Sequence, residues 1–205
     1  MKKAPDIECL FVDIGGVMLT DGWGHLFRRQ AAKHFHLNYA EMEAHHHLAF
    51  DTFEVGKMSL DEYLDHIVFH TKRPFTRAAF RRYMFAGSRP YPQMIELVRG
   101  LKRTYGLKVF VVSNEARELN DYRIRTFKLD EFVDAFISSS YVHLRKPDRD
   151  IYRLALDISQ TKPSRVVYIE NTRMFVQIAQ SLGVRSILHT DHDSTRAALA
   201  GFGLR

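Results

Sequence analysis

Four polar residues of this chain stand where apolar runs give way to turns or helices. Asp13 closes the run Phe11-Val12-Asp13-Ile14 and is followed by Gly15 and Gly16. A carboxylate at the end of an apolar strand is costly unless something uses it. Glycines beside it let the backbone approach a ligand or a metal ion closely. Ser113-Asn114, a hydroxyl and an amide, end a second run; Lys146-Pro147 precede a helix; Glu170-Asn171 end a further run. Ligands of an open parallel sheet bind outside the carboxyl ends of its strands, so these four sites can converge.

The elements that must position them are legible from hydrophobic period. Runs 7–14, 107–113, 133–138, 165–170 and 184–189 are β-branched or aromatic-rich and nearly continuous in apolarity, as in strands covered on both faces. Helix-period segments 117–128, 148–159 and 173–182 lie between the later ones. Alternating strand and helix implies right-handed crossovers. The expected fold is α/β, a Rossmann-like three-layer core with a mainly parallel five-stranded sheet. Between the first two strands, 28–35, 39–53, 60–69 and 77–85 each carry apolar residues at three-to-four spacing. Ser59 precedes Glu62 at capping-box spacing, and Pro74, Pro90 and Pro92 punctuate the later breaks. This stretch is expected to form an α-helical cap subdomain, residues 21–87, over a core of residues 1–20 and 88–205. Residues 91–104 return the chain to the core as a helix.

A chain of 205 residues, 45% apolar, can bury a sizeable core. Cys9 is its one cysteine, which excludes an internal disulfide and a cysteine-rich zinc site, and its apolar neighbours predict burial. No segment approaches the ~20 apolar residues of a membrane span. The apolar stretch after Met1-Lys2-Lys3 is too short for a secretory signal and is interrupted by Asp13, so a cytoplasmic location is the expectation. The net charge of +6 is spread over pairs such as Arg28-Arg29 and Arg81-Arg82, and over Arg123 and Arg125, which read as solvated helix faces. No nucleic-acid-reading motif accompanies them.

The order of Asp13-x-x-Gly16-Val17, a strand ending Ser113-Asn114, Arg145-Lys146-Pro147-Asp148 and an acidic strand end at Glu170 resembles the haloacid dehalogenase superfamily. It looks most like the phosphatase-like branch with a helical cap between its first two motifs. The resemblance spans essentially the whole chain, and its strength lies in the order of four individually weak motifs. It implies a magnesium-dependent hydrolase acting on a small phosphorylated metabolite. Asp13 would be the nucleophile forming an aspartyl-phosphate, and Lys146 would neutralise it and the phosphate. Ser113 and Asn114 would hold phosphoryl oxygens, and Mg²⁺ would bind Asp13, the Gly15 carbonyl and Glu170. It also implies that the first strand lies mid-sheet, beside the second and fourth.

Two departures stand out. Such phosphatases usually carry a second aspartate, the general acid, where this chain has Gly15; general acid catalysis contributes typically ~10²–10⁴-fold. Its loss matters least for a good leaving group, such as an acyl phosphate, an aryl phosphate or a sugar 1-phosphate. Glu170-Asn171 replaces the usual paired aspartates, which points to weaker magnesium binding. The alternatives are therefore a catalytically weakened binding or regulatory module and, ranked last, a haloacid dehalogenase. Among the remaining residues, the run His45-His46-His47 reads as incidental on a half-exposed helix, since metal pairs prefer i, i+4 spacing. Trp23 and His25 lie where the cap leaves the core, and Asp191-His192-Asp193 reads as the entry to a last helix.

Overall fold

The computed structural model describes residues 6–205. In chain order the strands are β1 (Cys9–Val12), β2 (Lys108–Ser113), β3 (Ala135–Ser138), β4 (Val166–Glu170) and β5 (Arg185–Leu188). They form one sheet of order β3-β2-β1-β4-β5, with every pairing parallel. All five expected strands are present, each trimmed by up to four residues. β1 lies in the middle, flanked by β2 and β4, so Asp13 emerges where the connections diverge to either side.

The helices are α1 (His25–His34), α2 (Tyr39–Glu54), α3 (Leu60–Ile67), α4 (Arg77–Ala86), α5 (Pro92–Tyr105), α6 (Arg117–Thr126), the single-turn α7 (Ser139–Val142), α8 (Arg149–Ser159), α9 (Arg173–Ser181) and α10 (His192–Gly201). Side chains alternate across the strands. Leu10, Val12, Val109 and Val111 pack with Val98 and Leu101 of α5 and Leu199 of α10. Cys9, Phe11, Phe110 and Val112 face the other way, against Ile151 and Ala155 of α8 and Ala179 of α9. Hence three layers. Cys9 is fully buried as expected, and burial pushes its thiol up to about 12.

Helices α1–α4, all between β1 and β2, share a separate apolar cluster that includes Trp23, Phe53, Tyr63, Leu64, Phe80 and Met84 and reaches Leu119 of α6. The capping box at Ser59 and Glu62 forms as the spacing predicts. Asp191 caps α10 by accepting from the Ser194 N–H at 2.8 Å. No helix among the described residues is long and apolar enough to cross a membrane.

Two arginines depart from the expected solvated faces. Arg123 is fully buried: its guanidinium donates to the Ser88 hydroxyl at 3.0 Å and the Thr20 carbonyl at 3.0 Å, and pairs with Glu115. Thr20 lies between β1 and α1 and Ser88 between α4 and α5, and Thr20 Oγ1 donates to the Gly87 carbonyl at 2.7 Å. Arg28 is also buried, gripping Glu43 with two nitrogens and the Trp23 carbonyl with a third at 2.7 Å. Both positions read as polar in sequence. Each is buried because every guanidinium nitrogen finds an acceptor: a carboxylate and one backbone oxygen, with the Ser88 hydroxyl completing the set for Arg123.

Candidate active site

Asp13 follows β1 directly, with its N–H donating to the Ile169 carbonyl at 3.0 Å. Its side chain turns into a pocket of about 290 Å³ between the strand ends and the inserted helices. Lys146 Nζ lies 3.0 Å from Asp13 Oδ1. This contact is an ion pair rather than a directed hydrogen bond, since Oδ1 is buried with no aligned donor. Lys146 Nζ is aligned instead on Glu170 Oε2 at 2.7 Å and the Tyr168 hydroxyl at 3.1 Å. One buried ammonium thus serves two buried carboxylates.

That imbalance sets the electrostatics. Burial pushes Asp13 up to about 6; the Lys146 charge and the nearby Ser113 hydroxyl oppose the rise, and the Glu170 charge adds to it. For Lys146 burial disfavours the charge, but Asp13 and Glu170 outweigh it and its pKa rises above the ordinary lysine value. The lysine is therefore held as a cation at neutral pH.

Glu170, expected to be a metal ligand, faces elsewhere. It is fully buried and does not line the pocket. Its Oε2 accepts from Lys146 and the Tyr168 hydroxyl, and its Oε1 accepts from the Thr172 N–H at 2.8 Å. The longer glutamate arm reaches back beneath Lys146, and Asn171 is the residue of this pair that borders the pocket. A Cβ on Gly16, which has φ +75°, would lie 2.0 Å from Asn171 Nδ2, so only glycine admits this close approach.

Asn114, expected to hold phosphate, has its amide committed. Its Oδ1 accepts from the Lys146 N–H at 2.8 Å, while Nδ2 donates to the Lys146 carbonyl at 2.9 Å and to Glu54 at 3.2 Å. It clamps the backbone of the lysine loop. Ser113, almost wholly buried, lines the pocket beside Asp13 as expected.

Gly15 has room for a side chain. A Cβ there would stand 3.7 Å from Asp21 Oδ1 and 3.8 Å from Glu115 Oε1, so two carboxylates that sequence reading passed over border the position of the missing aspartate. Glu115 is raised to about 7, chiefly by burial, against its pairing with Arg123. Further walls come from Trp23, just before α1, from Phe50, Phe53 and Glu54 of α2 and from Met84 of α4. Burial also pushes Glu54 up to about 7, with the Arg145 charge opposing it. Trp23 both packs in the helical cluster and borders the pocket, whereas exposed His25 starts α1 outside it. The single signal for Asp21, Glu54 and Glu115 was acidity near predicted element ends, which many solvated residues share.

The comparisons with known proteins agree with this architecture. The haloacid dehalogenase-like hydrolase family model matches residues 20–189, a stretch that begins after Asp13. A pyrophosphatase PpaX of Bacillus cereus is 29% identical over 96 residues, 47% of this chain and 44% of its own length. A phosphorylated carbohydrates phosphatase of Thermotoga maritima is 28% identical over 100 residues, 49% of this chain and 44% of its own. The chain thus spans less than half the length of these two curated relatives. Among solved structures, a HAD family enzyme of Bacteroides thetaiotaomicron in complex with magnesium and inorganic phosphate superposes with a TM-score of 0.75. It is 17% identical, over 90% of this chain and 94% of that one. A HAD-like hydrolase of Porphyromonas gingivalis gives a TM-score of 0.74 at 19% identity, over 97% and 98% of the two chains. Identities this low speak to the fold.

Proposed function

The chain belongs to the haloacid dehalogenase-like hydrolase family, and on that premise we propose that it is a magnesium-dependent phosphatase of a small phosphorylated metabolite. The observation that carries this reading is the Asp13–Lys146 contact at 3.0 Å inside the pocket. An Asp13 carboxylate oxygen attacks phosphorus, and the bond from phosphorus to the leaving oxygen breaks with its electron pair on that oxygen. Water then attacks phosphorus and releases inorganic phosphate, restoring Asp13. Lys146 offsets the charge on Asp13 and the phosphoryl group, and Ser113 holds a phosphoryl oxygen. Glu170 and Asn114 keep Lys146 in place from beneath and from its backbone. Residues 21–87 act as the cap on a core of 1–20 and 88–205, excluding water from the pocket.

The donors present suit a hard cation. Asp13 brings a carboxylate, of which Oδ1 is paired with Lys146 at 3.0 Å, and Gly15 and Asn171 border the same pocket with further oxygens. Asp13, the Gly15 carbonyl and the Asn171 amide oxygen would hold Mg²⁺, with Glu170 left to Lys146. Bound there, magnesium supplies Lewis-acid stabilisation of phosphoryl oxygens. A neutral amide in place of a carboxylate weakens its hold.

Around the leaving group the walls are apolar at Trp23, Phe50, Phe53 and Met84 and acidic at Asp21, Glu54 and Glu115, while the Arg28 guanidinium that also borders the pocket is taken up by Glu43. Such a lining disfavours a second anionic group on the substrate. With Gly15 offering no acid, it favours a leaving group that needs little protonation. We expect an aryl phosphate to be hydrolysed with Mg²⁺ at least ~10²-fold faster than a simple alkyl phosphate. Activity should vanish in chelator and return on adding magnesium. Equal turnover with and without chelator contradicts the metal assignment. A panel of phosphate esters with no turnover, but with ligand-induced thermal stabilisation, would favour the weakened binding module that Gly15 and Asn171 also suit.

A further inference from the structure

Away from this pocket, a second group of side chains is arranged for chemistry that the hydrolytic reading leaves unused. Glu41 and His45 stand one turn apart on α2, and His70 lies just beyond the end of α3. A ligand atom from each lies within 4.8 Å of the others. His70 carries the decisive geometry. Its Nδ1 is 3.1 Å from the His66 carbonyl oxygen, and its Nε2 is 3.1 Å from Glu41 Oε1. Both ring nitrogens therefore face acceptors, yet a neutral imidazole has only one N–H. With the proton on Nδ1, the Nε2 lone pair points at a carboxylate, an arrangement that calls for a cation between them or a second proton on the ring. A backbone carbonyl holding Nδ1–H is also what orients Nε2 of a metal-ligating histidine.

We propose that Glu41, His45 and His70 form a transition-metal site, of zinc class, joining α2 to the end of α3. Two imidazoles and one carboxylate are a borderline-soft set that suits Zn²⁺ with a water in the fourth position, and suits Mg²⁺ poorly. The rings of His45 and His70 lie parallel at 4.5 Å, so binding requires the His45 ring to turn out of the stack and direct a nitrogen at the shared ion. The neighbouring group of Glu43, His46 and His47 lacks these features. The Arg28 guanidinium occupies Glu43 with two nitrogens, and His46 Nδ1 is 2.6 Å from the Tyr63 hydroxyl. The proposed site stands apart from the phosphatase reading. Zinc there pins together two helices of the insertion, of which α2 carries the pocket residues Phe50 and Phe53.

The test is calorimetric titration of Zn²⁺ into the chelator-stripped full chain, in excess Mg²⁺. One equivalent should bind, with a rise in Tm. His45→Ala and His70→Ala should each weaken that binding at least ~10-fold, the scale on which metal sites respond to lost partners. His47→Ala and Asp13→Asn should bind as the wild type does. Co²⁺ in place of Zn²⁺ should give visible ligand-field bands that disappear in the same two variants. If either alanine variant loses its fold by circular dichroism, His45→Gln or His70→Gln provides the comparison. Absence of saturable zinc binding overturns the proposal, as does wild-type affinity in the His70 variant or loss of the site in Asp13→Asn.

Discussion

Asp13→Asn should abolish phosphate release while leaving the metal-free protein more stable than wild type at pH 8. The loss in kcat should be at least ~10⁴-fold, the scale seen when a nucleophile acting within a concerted unit is removed. The gain in stability follows from the same carboxylate. Its pKa rises from 3.8 to about 6 in the fold, mainly through burial, so the folded state prefers the protonated acid. Ionisation costs nothing below pH 4, costs progressively more as pH climbs towards 6, and reaches its full cost above that. Each unit corresponds to 1.36 kcal/mol, which makes the full cost on the order of 2–3 kcal/mol. Asparagine removes the charge, and Lys146 is left with Glu170 as a one-to-one pair. Thermal unfolding should show a higher Tm than wild type at pH 8 and little difference near pH 4. A stabilised but inactive variant is the signature of a group kept for chemistry at a cost in stability.

Lys146→Met should be both inactive and destabilised, by about 3–5 kcal/mol, because it leaves two buried carboxylates without a cation. Lys146 is 1% exposed, so water cannot replace the ammonium. The folded state raises the lysine pKa, so its contribution is complete throughout the neutral range and is lost only as pH rises beyond its ordinary value of 10.5. The deficit in the variant should shrink as pH falls below about 6, where Asp13 becomes protonated. Adding Glu170→Gln to Lys146→Met should recover a large part of the stability and none of the activity. Denaturant unfolding of the two single variants and the double variant measures this coupling directly. Additive losses would mean that Lys146 and Glu170 do not depend on each other.

Much of this architecture is legible in the sequence because period and apolarity carry it. Runs such as Phe110 to Val112 are apolar on consecutive residues, which is what a strand covered on both faces requires. The helices of the insertion show their three-to-four period as clearly as those of the core. What period does not encode is where a long polar side chain turns. Glu170 ends its strand like a ligand, but its oxygens go to Lys146, Tyr168 and Thr172. Arg123 reads as one basic residue among several on a helix and is instead the buried link between Glu115, Thr20 and Ser88. The run His45-His46-His47 reads as incidental because adjacent helical residues diverge, and the nearness of His45 to Glu41 and His70 depends on a residue from beyond another helix. These contacts depend on how helices pack, which a single sequence does not state.

The claim on which the rest depends is that phosphorus becomes bonded to Asp13 during turnover. Enzyme quenched in acid with substrate present and treated with borohydride should have the acyl phosphate at Asp13 reduced to the alcohol. Peptide mass spectrometry locates the change. We expect it on the Asp13 peptide, only when substrate and Mg²⁺ are present, and never in Asp13→Asn. Active enzyme whose Asp13 stays unmodified, or whose modification falls on Asp21 or Glu115, would contradict the account.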